Sequence, residues 1–265
     1  MNKVENNSGI IHACYTEATR AGEHFIEDPG ISCIISGSMT AFDGTVAHTF
    51  LPGDVVLYRK NILARFSKQP ANGKPFESVA VLLDQPLLLE LSKDFGEKAT
   101  PRTEKSFNTY HSNELLINYF DSLRLLSHTK NLSPALLQLK KKEAVLLLLQ
   151  QDPSAAQLLF DFSIPGKIDL EAFMNQHYKF NVSLPQLAYL TGRSLASFKR
   201  DFEKIFSLSP NRWIQRRRLQ EAYYLINDKK RKPKDVFLEV GFETLSHFSY
   251  AFKKQFGLNP SAIGI

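Results

Sequence analysis

Ser194-Leu-Ala-Ser-Phe-Lys-Arg-Asp-Phe-Glu-Lys-Ile-Phe-Ser-Leu-Ser-Pro210 comes back 50 residues later as Thr244-Leu-Ser-His-Phe-Ser-Tyr-Ala-Phe-Lys-Lys-Gln-Phe-Gly-Leu-Asn-Pro260. Seven of the 17 aligned pairs are identical, among them Phe198/Phe248, Phe202/Phe252 and Phe206/Phe256. Chance alignment gives about one match, so the pair is a duplicated structural unit. Phenylalanines four residues apart fall on one face of a helix, and Ser194 and Thr244 are the residue types that cap its first turn. The opposite face is polar.

A shorter apolar segment precedes each copy, Leu184 to Leu190 and Asp235 to Val240. A glycine-containing turn joins it to the repeat, Thr191-Gly192-Arg193 or Gly241-Phe242-Glu243. Short helix, tight turn and longer amphipathic helix form the helix-turn-helix pattern, expected here over 184–206 and 234–256. Between them Ser209-Pro210 opens a long helix with Trp213, Ile214, Ala222, Leu225 and Ile226 on its apolar side, a connector that spaces the two units.

Charge agrees with that reading. Residues 165–265 carry 17 Lys and Arg against 9 Asp and Glu, whereas residues 1–164 carry 16 against 18. A basic excess confined to one end favours a polyanion through counter-ion release, and points to nucleic acid. The runs Arg216-Arg-Arg218 and Lys229-Lys-Arg-Lys232 read as solvated faces or loops.

The front of the chain changes period. Ile31–Ile35, Gly44–Leu51, Val55–Tyr58 and Val79–Leu83 are short β-branched or aromatic runs separated by turn signals such as Pro52-Gly53-Asp54 and Asn72-Gly73. Strands over residues 10–91 imply a small antiparallel barrel or sandwich. Helical periodicity follows: Leu115, Leu116, Tyr119, Phe120 and Leu123 behind a Ser112 cap, then Ser133-Pro134 through Leu149. These helices either cover the barrel or form a dimer interface. Asp152-Pro153 and Pro165-Gly166 mark a linker.

Several function classes lack their residues. Cys14 and Cys33 have neither disulfide-framework nor zinc-ligand spacing. His12, His24 and His48 stand singly with no His-x-His pair, and there is no GxSxG, HExxH or phosphate-binding glycine loop, so no enzyme, metal or cofactor is expected. Met1 to Gly9 is polar, and the longest apolar run, Ala144 to Leu149, is far short of a bilayer span, so a cytoplasmic protein without membrane contact is expected.

The second unit, Val240-Gly-Phe-Glu243 through Phe248 and Phe252-Lys-Lys-Gln-Phe-Gly-Leu-Asn-Pro260, closely resembles the signature of the AraC/XylS transcription regulators. The first unit resembles it through Leu187-Ala188, Ser194, Phe198, Arg200 and Phe202-Glu-Lys-Ile-Phe206. The strand-rich half is similar to the family's cupin-like regulatory domain, and Leu139-Lys-Lys-Lys-Glu143 with the leucines after it to its interdomain helix. The resemblance implies a cupin-like antiparallel β-barrel domain at 1–110, interdomain helices at 111–150, a linker at 151–168, and an all-α DNA-binding domain at 169–265.

It implies, further, that both recognition helices enter successive major grooves of double-stranded DNA. Base contacts are then expected from Ala196, Lys199 and Arg200 on the first helix and from Leu245, Ser246 and Tyr250 on the second. Phosphate contacts are expected from Arg193, Ser194, Lys204, Thr244, Lys253 and Lys254. Arg200 stands out because a guanidinium donates two hydrogen bonds to guanine. Activation is the family's commoner role and brings RNA polymerase as partner; a small-molecule effector or regulatory protein for the front domain, and a homodimer, complete the implied partners. The alternatives are a protein-binding module that kept the fold and, last, a cupin enzyme fused to a regulator. The chain departs from the family pattern at two places. Tyr250 stands where an arginine is usual, and Phe237-Leu238 where Ile-Ala is usual, which shifts the expected weight of specificity to the first unit.

Overall fold

The computed structural model describes residues 3–7, 9–95, 105–111, 113–127, 129 and 132–263. It divides into two compact units, 1–163 and 164–265.

The first unit holds ten strands among its described residues: β1 Lys3–Asn7, β2 Ile10–Tyr15, β3 Thr19–Ile26, β4 Gly30–Ser36, β5 Ser38–Phe42, β6 Ala47–Phe50, β7 Asp54–Tyr58, β8 Ile62–Gln69, β9 Phe76–Leu82 and β10 Phe107–His111. They form two sheets, ordered β1-β2-β9-β4-β7-β10 and β3-β8-β5-β6, with every neighbour antiparallel. The strand-rich, antiparallel character expected of the front half is therefore present, arranged as two sheets. The period of two explains why the central strands read as unbroken apolar runs. Ile31 and Cys33 of β4 and Val55 and Leu57 of β7 face a helix-side core, whereas Ile34 and Val56 face the second sheet with Met39, Phe50 and Ile62.

Helices α1 Gln85–Phe95, α2 Glu114–Ser127 and α3 Pro134–Gln151 supply the other half of the helix-side core. Leu116, Tyr119, Phe120 and Leu123 of α2 are buried in it, as are Leu137, Val145, Leu148 and Leu149 of α3. The buried residues of α3 recur at one-face spacing, Leu137, Ala144, Val145, Leu148 and Leu149, while Leu139 and Leu146 of the same leucine-rich run are exposed. Ser133 caps α3 by accepting from the Leu136 amide at 3.2 Å, with Pro134 in the first turn. Ser112 lies outside the described residues, and the α2 cap is Asn113, whose Oδ1 accepts from the Leu116 amide at 3.1 Å.

In the first unit the structure departs from the sequence pattern in two stretches. Residues 85–91, which the strand pattern of 10–91 includes, open α1 instead. Asp84 Oδ1 accepts from the Leu87 amide, Pro86 suits a first helical turn, and Leu87, Leu88 and Leu91 are buried on one side. The stretch 151–168, expected as a linker, begins with a 3-10 turn, Pro153–Ala155, and a short α4, Ala156–Leu159. Asp152 caps that turn by accepting from the Ser154 amide, and Ala155, Leu158 and Leu159 are buried in the helix-side core. Proline there starts a helix rather than a spacer, and the first unit closes at Ser163.

The lone histidines of the front half have local partners. His12 Nε2 lies 2.9 Å from Glu77, and His48 lies 3.4 Å from Asp43; the His24 side chain is outside the described residues. Among the described residues no group of three or more His, Cys, Asp or Glu is placed to hold a metal ion, and no helix is long and apolar enough to cross a membrane. Burial, with Asp121 and Asp54 adding negative potential, pushes the Cys33 thiol up to about 12. Thiolate is the nucleophile, so at about pH 8 a disulfide reagent should modify Cys33 only after denaturation. Native-state labelling of Cys33 at the rate of the denatured chain would contradict the burial seen here.

The second unit is helical: α5 Leu170–His177, α6 Leu184–Leu190, α7 Leu195–Phe206, α8 Pro210–Asn227, α9 Pro233–Val236 and α10 Leu245–Phe256. Long α8 serves both ends. Trp213, in its first turn, meets Tyr178, Phe202 and Phe206, while Leu219, Ala222, Leu225 and Ile226 share a core with Phe248 and Phe252. The first helix of the second helix-turn-helix is shorter than the expected Asp235–Val240. Regular winding stops at Val236, and residues 237–241 form a looser turn held by Val240 N to Val236 O and Phe242 N to Phe237 O. Phe237 packs against the core, whereas Leu238 is turned outward.

Candidate nucleic-acid interface

The two halves of the repeat are built alike. In the first, Ser183 and Gln186 form a reciprocal capping box on α6, and Ser194 Oγ accepts from the Ser197 amide at 3.2 Å to start α7. In the second, Thr244 Oγ1 accepts from the His247 amide at 3.2 Å to start α10. Phe198 and Phe202, and Phe248 and Phe252, are fully buried, which fixes each long helix by its apolar face and turns the other outward.

The turn glycines are required twice over. Gly192 has φ +64° and Gly241 φ +96°, in the left-handed region that side chains disfavour. A Cβ at Gly192 would run into the Gly166 backbone, and one at Gly241 into the Lys179 carbonyl and to 2.7 Å from Arg218 Cζ.

All six residues expected at bases are solvent-exposed on the outward faces of α7 and α10: Ala196, Lys199 and Arg200, and Leu245, Ser246 and Tyr250. The Arg200 side chain is 76% exposed, with Ser197 Oγ at 3.1 Å and Asp201 at 3.5 Å beside its guanidinium. Tyr250 is 69% exposed, an aromatic ring held in water on a helix face. Ser194, Lys204, Thr244, Lys253 and Lys254 are exposed as well. The exposed first turns of α7 and α10 add the positive end of the helix dipole.

Arg193 does not belong with them. Its side chain is 7% exposed, and its guanidinium donates to Asp201 Oδ2 at 3.1 Å, to Ile168 O at 3.0 Å and to Thr191 O at 2.7 Å. A group spent on an inward carboxylate and two carbonyls braces the turn and is unavailable to a phosphate; in return it holds the Asp201 carboxyl below the usual carboxylate range. The charge runs also divide. Arg216 is exposed, but Arg217 lies over the Tyr178 ring at 5.2 Å and Arg218 is bonded to three carbonyls. In the other run Arg231 pairs with Glu239 at 2.7 Å, while the three lysines are exposed. His247, which pattern reading passed over, stands exposed in the first turn of α10 with its ring against Phe242.

Residues 187–263 match a helix-turn-helix domain model, and residues 29–160 match the model of the ExsA N-terminal regulatory domain. This chain belongs to the AraC/XylS family. Among curated AraC/XylS relatives, the HTH-type transcriptional regulator ExsA of Pseudomonas aeruginosa is 25% identical over 244 residues, 89% of this chain and 85% of that protein. The virulence regulon transcriptional activator VirF of Yersinia enterocolitica is 28% identical over 177 residues, 66% of this chain but 63% of that protein. The alignment thus spans less than two thirds of the VirF length. A crystal structure of apo ToxT from Vibrio cholerae covers 97% of both chains at 18% identity with a TM-score of 0.46.

Proposed function

We propose that this protein is a sequence-specific transcription activator that reads double-stranded DNA with α7 and α10 and responds through its strand-rich unit to a small molecule or a regulatory protein. The supporting observation is that two capped helices, each anchored by a buried phenylalanine pair, present the same outward face, and that this face holds the six base-reading candidates. Arg200 and Lys199 donate to base edges in the first groove; Ser246 donates in the second, where Leu245 and Tyr250 offer apolar contact to thymine methyls. Ser194, Thr244, Lys204, Lys253 and Lys254 hold phosphates. Arg193 is withdrawn from that set because its donors are committed inward. RNA polymerase is the partner of activation, the cytoplasm its place, and the role involves no catalysis and no cofactor. The domain resembling the ExsA regulatory domain carries the response and, in a homodimer, the contact between copies.

Selection from random duplex DNA at one stated salt concentration tests this. The full chain should enrich an asymmetric motif of two segments about one helical turn apart. Enrichment of nothing overturns the reading in favour of a protein-binding module.

A further inference from the structure

The loop between α5 and α6, which leads into the first helix-turn-helix, is tied to the turn of the second. Arg218, near the middle of α8, donates from Nε to Tyr178 O at 2.8 Å and from Nη2 to Phe180 O at 2.8 Å, both in that loop. Its remaining arm, Nη1, donates to Gly241 O at 2.6 Å in the second turn. Lys179 of the loop pairs with Glu221 of α8 at 2.8 Å, and Asn181 donates to Glu243, beside the second turn, at 2.6 Å. Gly241 lets the backbone approach: any side chain there would strike the Lys179 carbonyl and the guanidinium.

The arrangement has a mechanical meaning. The two aromatic cores grip α8 in different parts, around Trp213 and from Leu219 onward. Past its first residue α8 holds no Pro or Gly, so between the two cores it can curve only gently, and by itself it leaves that small freedom open. A planar fork with fixed donor directions, satisfied by three carbonyls from two segments, adds a second attachment beside the helix. DNA makes that attachment matter, because successive major-groove faces repeat at a fixed rise and rotation, and a reader with a fixed offset accepts one spacing.

We infer that Arg218 is a positioning residue that sets the spacing and phase of the two DNA-reading helices. It touches no DNA itself. The inference rests on the two-helix reading proposed above, and deepens it by assigning the tolerance for half-site spacing to a named side chain. Arg218→Lys keeps the charge but cannot span three carbonyls in fixed directions.

The test compares full-length protein and Arg218→Lys on the selected operator and on versions with one base pair inserted or removed between its two segments, at constant salt. Wild type should lose roughly 100-fold on a shifted site, and the variant should bind the original site about 10-fold more weakly while losing less than about 10-fold on shifting. A spacing penalty as large in Arg218→Lys as in wild type overturns the inference. Simple loss of folded protein would lower binding to all spacings alike and leave that ratio at the wild-type value. Asn181→Ala, which cuts the exposed link to Glu243, should narrow the ratio to a smaller degree. One readout does not involve DNA. With Cys14→Ser and Cys33→Ser, spin labels on Glu203→Cys and Gln255→Cys should show one narrow distance, broadened by Arg218→Lys. A broadened distance without any selectable operator would leave the bridge standing and sink the DNA reading; an unchanged distance would sink the bridge.

Discussion

Phe202→Ala is expected to lower the stability of the C-terminal unit by about 3–5 kcal/mol, the range for emptying a buried aromatic site. The ring is fully buried and touches Phe198, Phe206 and Trp213 at centroid distances of 5.6, 4.4 and 5.6 Å. Those neighbours belong to α7 and α8 and cannot close the gap without moving a helix. Helix propensity works the other way, since alanine is favoured over phenylalanine by about half a kcal/mol, but that is several-fold smaller than the packing loss. For a unit of this size the midpoint of thermal unfolding should fall by more than about 12 °C, from roughly 4 °C or more per kcal/mol. Phe252→Ala should behave alike, because Phe252 sits at the matching place between Phe248 and Phe256 and stacks on Tyr223. Differential scanning calorimetry of the full chain reads both. A shift below about 3 °C in either variant would mean that the core relaxes around the missing ring and that the repeat is not held by its phenylalanines.

The repeat was legible because its physics is local: a cap, a four-residue phenylalanine period and a turn glycine are all written in consecutive residues. α7 and α10 therefore begin at Leu195 and Leu245, directly after Ser194 and Thr244. The β-rich front was legible in kind, since Ile31–Ile35 and Val55–Tyr58 alternate between two cores. What escaped was anything decided by distant backbone. Arg193, Arg200 and Arg218 are one residue type in three environments, and only the fold shows that two of them face carbonyl oxygens. Carbonyl acceptors carry no signature in a sequence, because every residue has one. α1 escaped for a related reason. Leu87, Leu88 and Leu91 suit a buried strand or a helix equally, and the Asp84 cap decides between them.

Arg200→Ala is expected to cost about 1–3 kcal/mol of discrimination, or roughly 5- to 150-fold, on the selected operator, while binding to unrelated DNA changes by less than about threefold. Three observations support the asymmetry. The guanidinium projects from the outward face of α7 and is 76% exposed, so removing it leaves no buried partner stranded. Its contacts to Ser197 and Asp201 are at 3.1 and 3.5 Å, which orient the side chain without consuming the fork. Asp201 already has a nearer donor in Arg193, so its carboxylate stays compensated when Arg200 is gone. The loss should therefore appear in binding and leave the melting temperature within about 2 °C of wild type, as for other exposed helical positions. Lys204→Ala is the informative contrast. A phosphate contact weakens binding to all sequences alike and lowers the slope of log affinity against log salt by about one. Measured on matched operator and scrambled duplexes across a salt series, Arg200→Ala should change the ratio of the two affinities, and Lys204→Ala their common slope. If Arg200→Ala weakens both duplexes equally, Arg200 holds the backbone rather than a base; the first helix then reads through Lys199 and Ala196, and its docking in the groove is rotated from the one argued here.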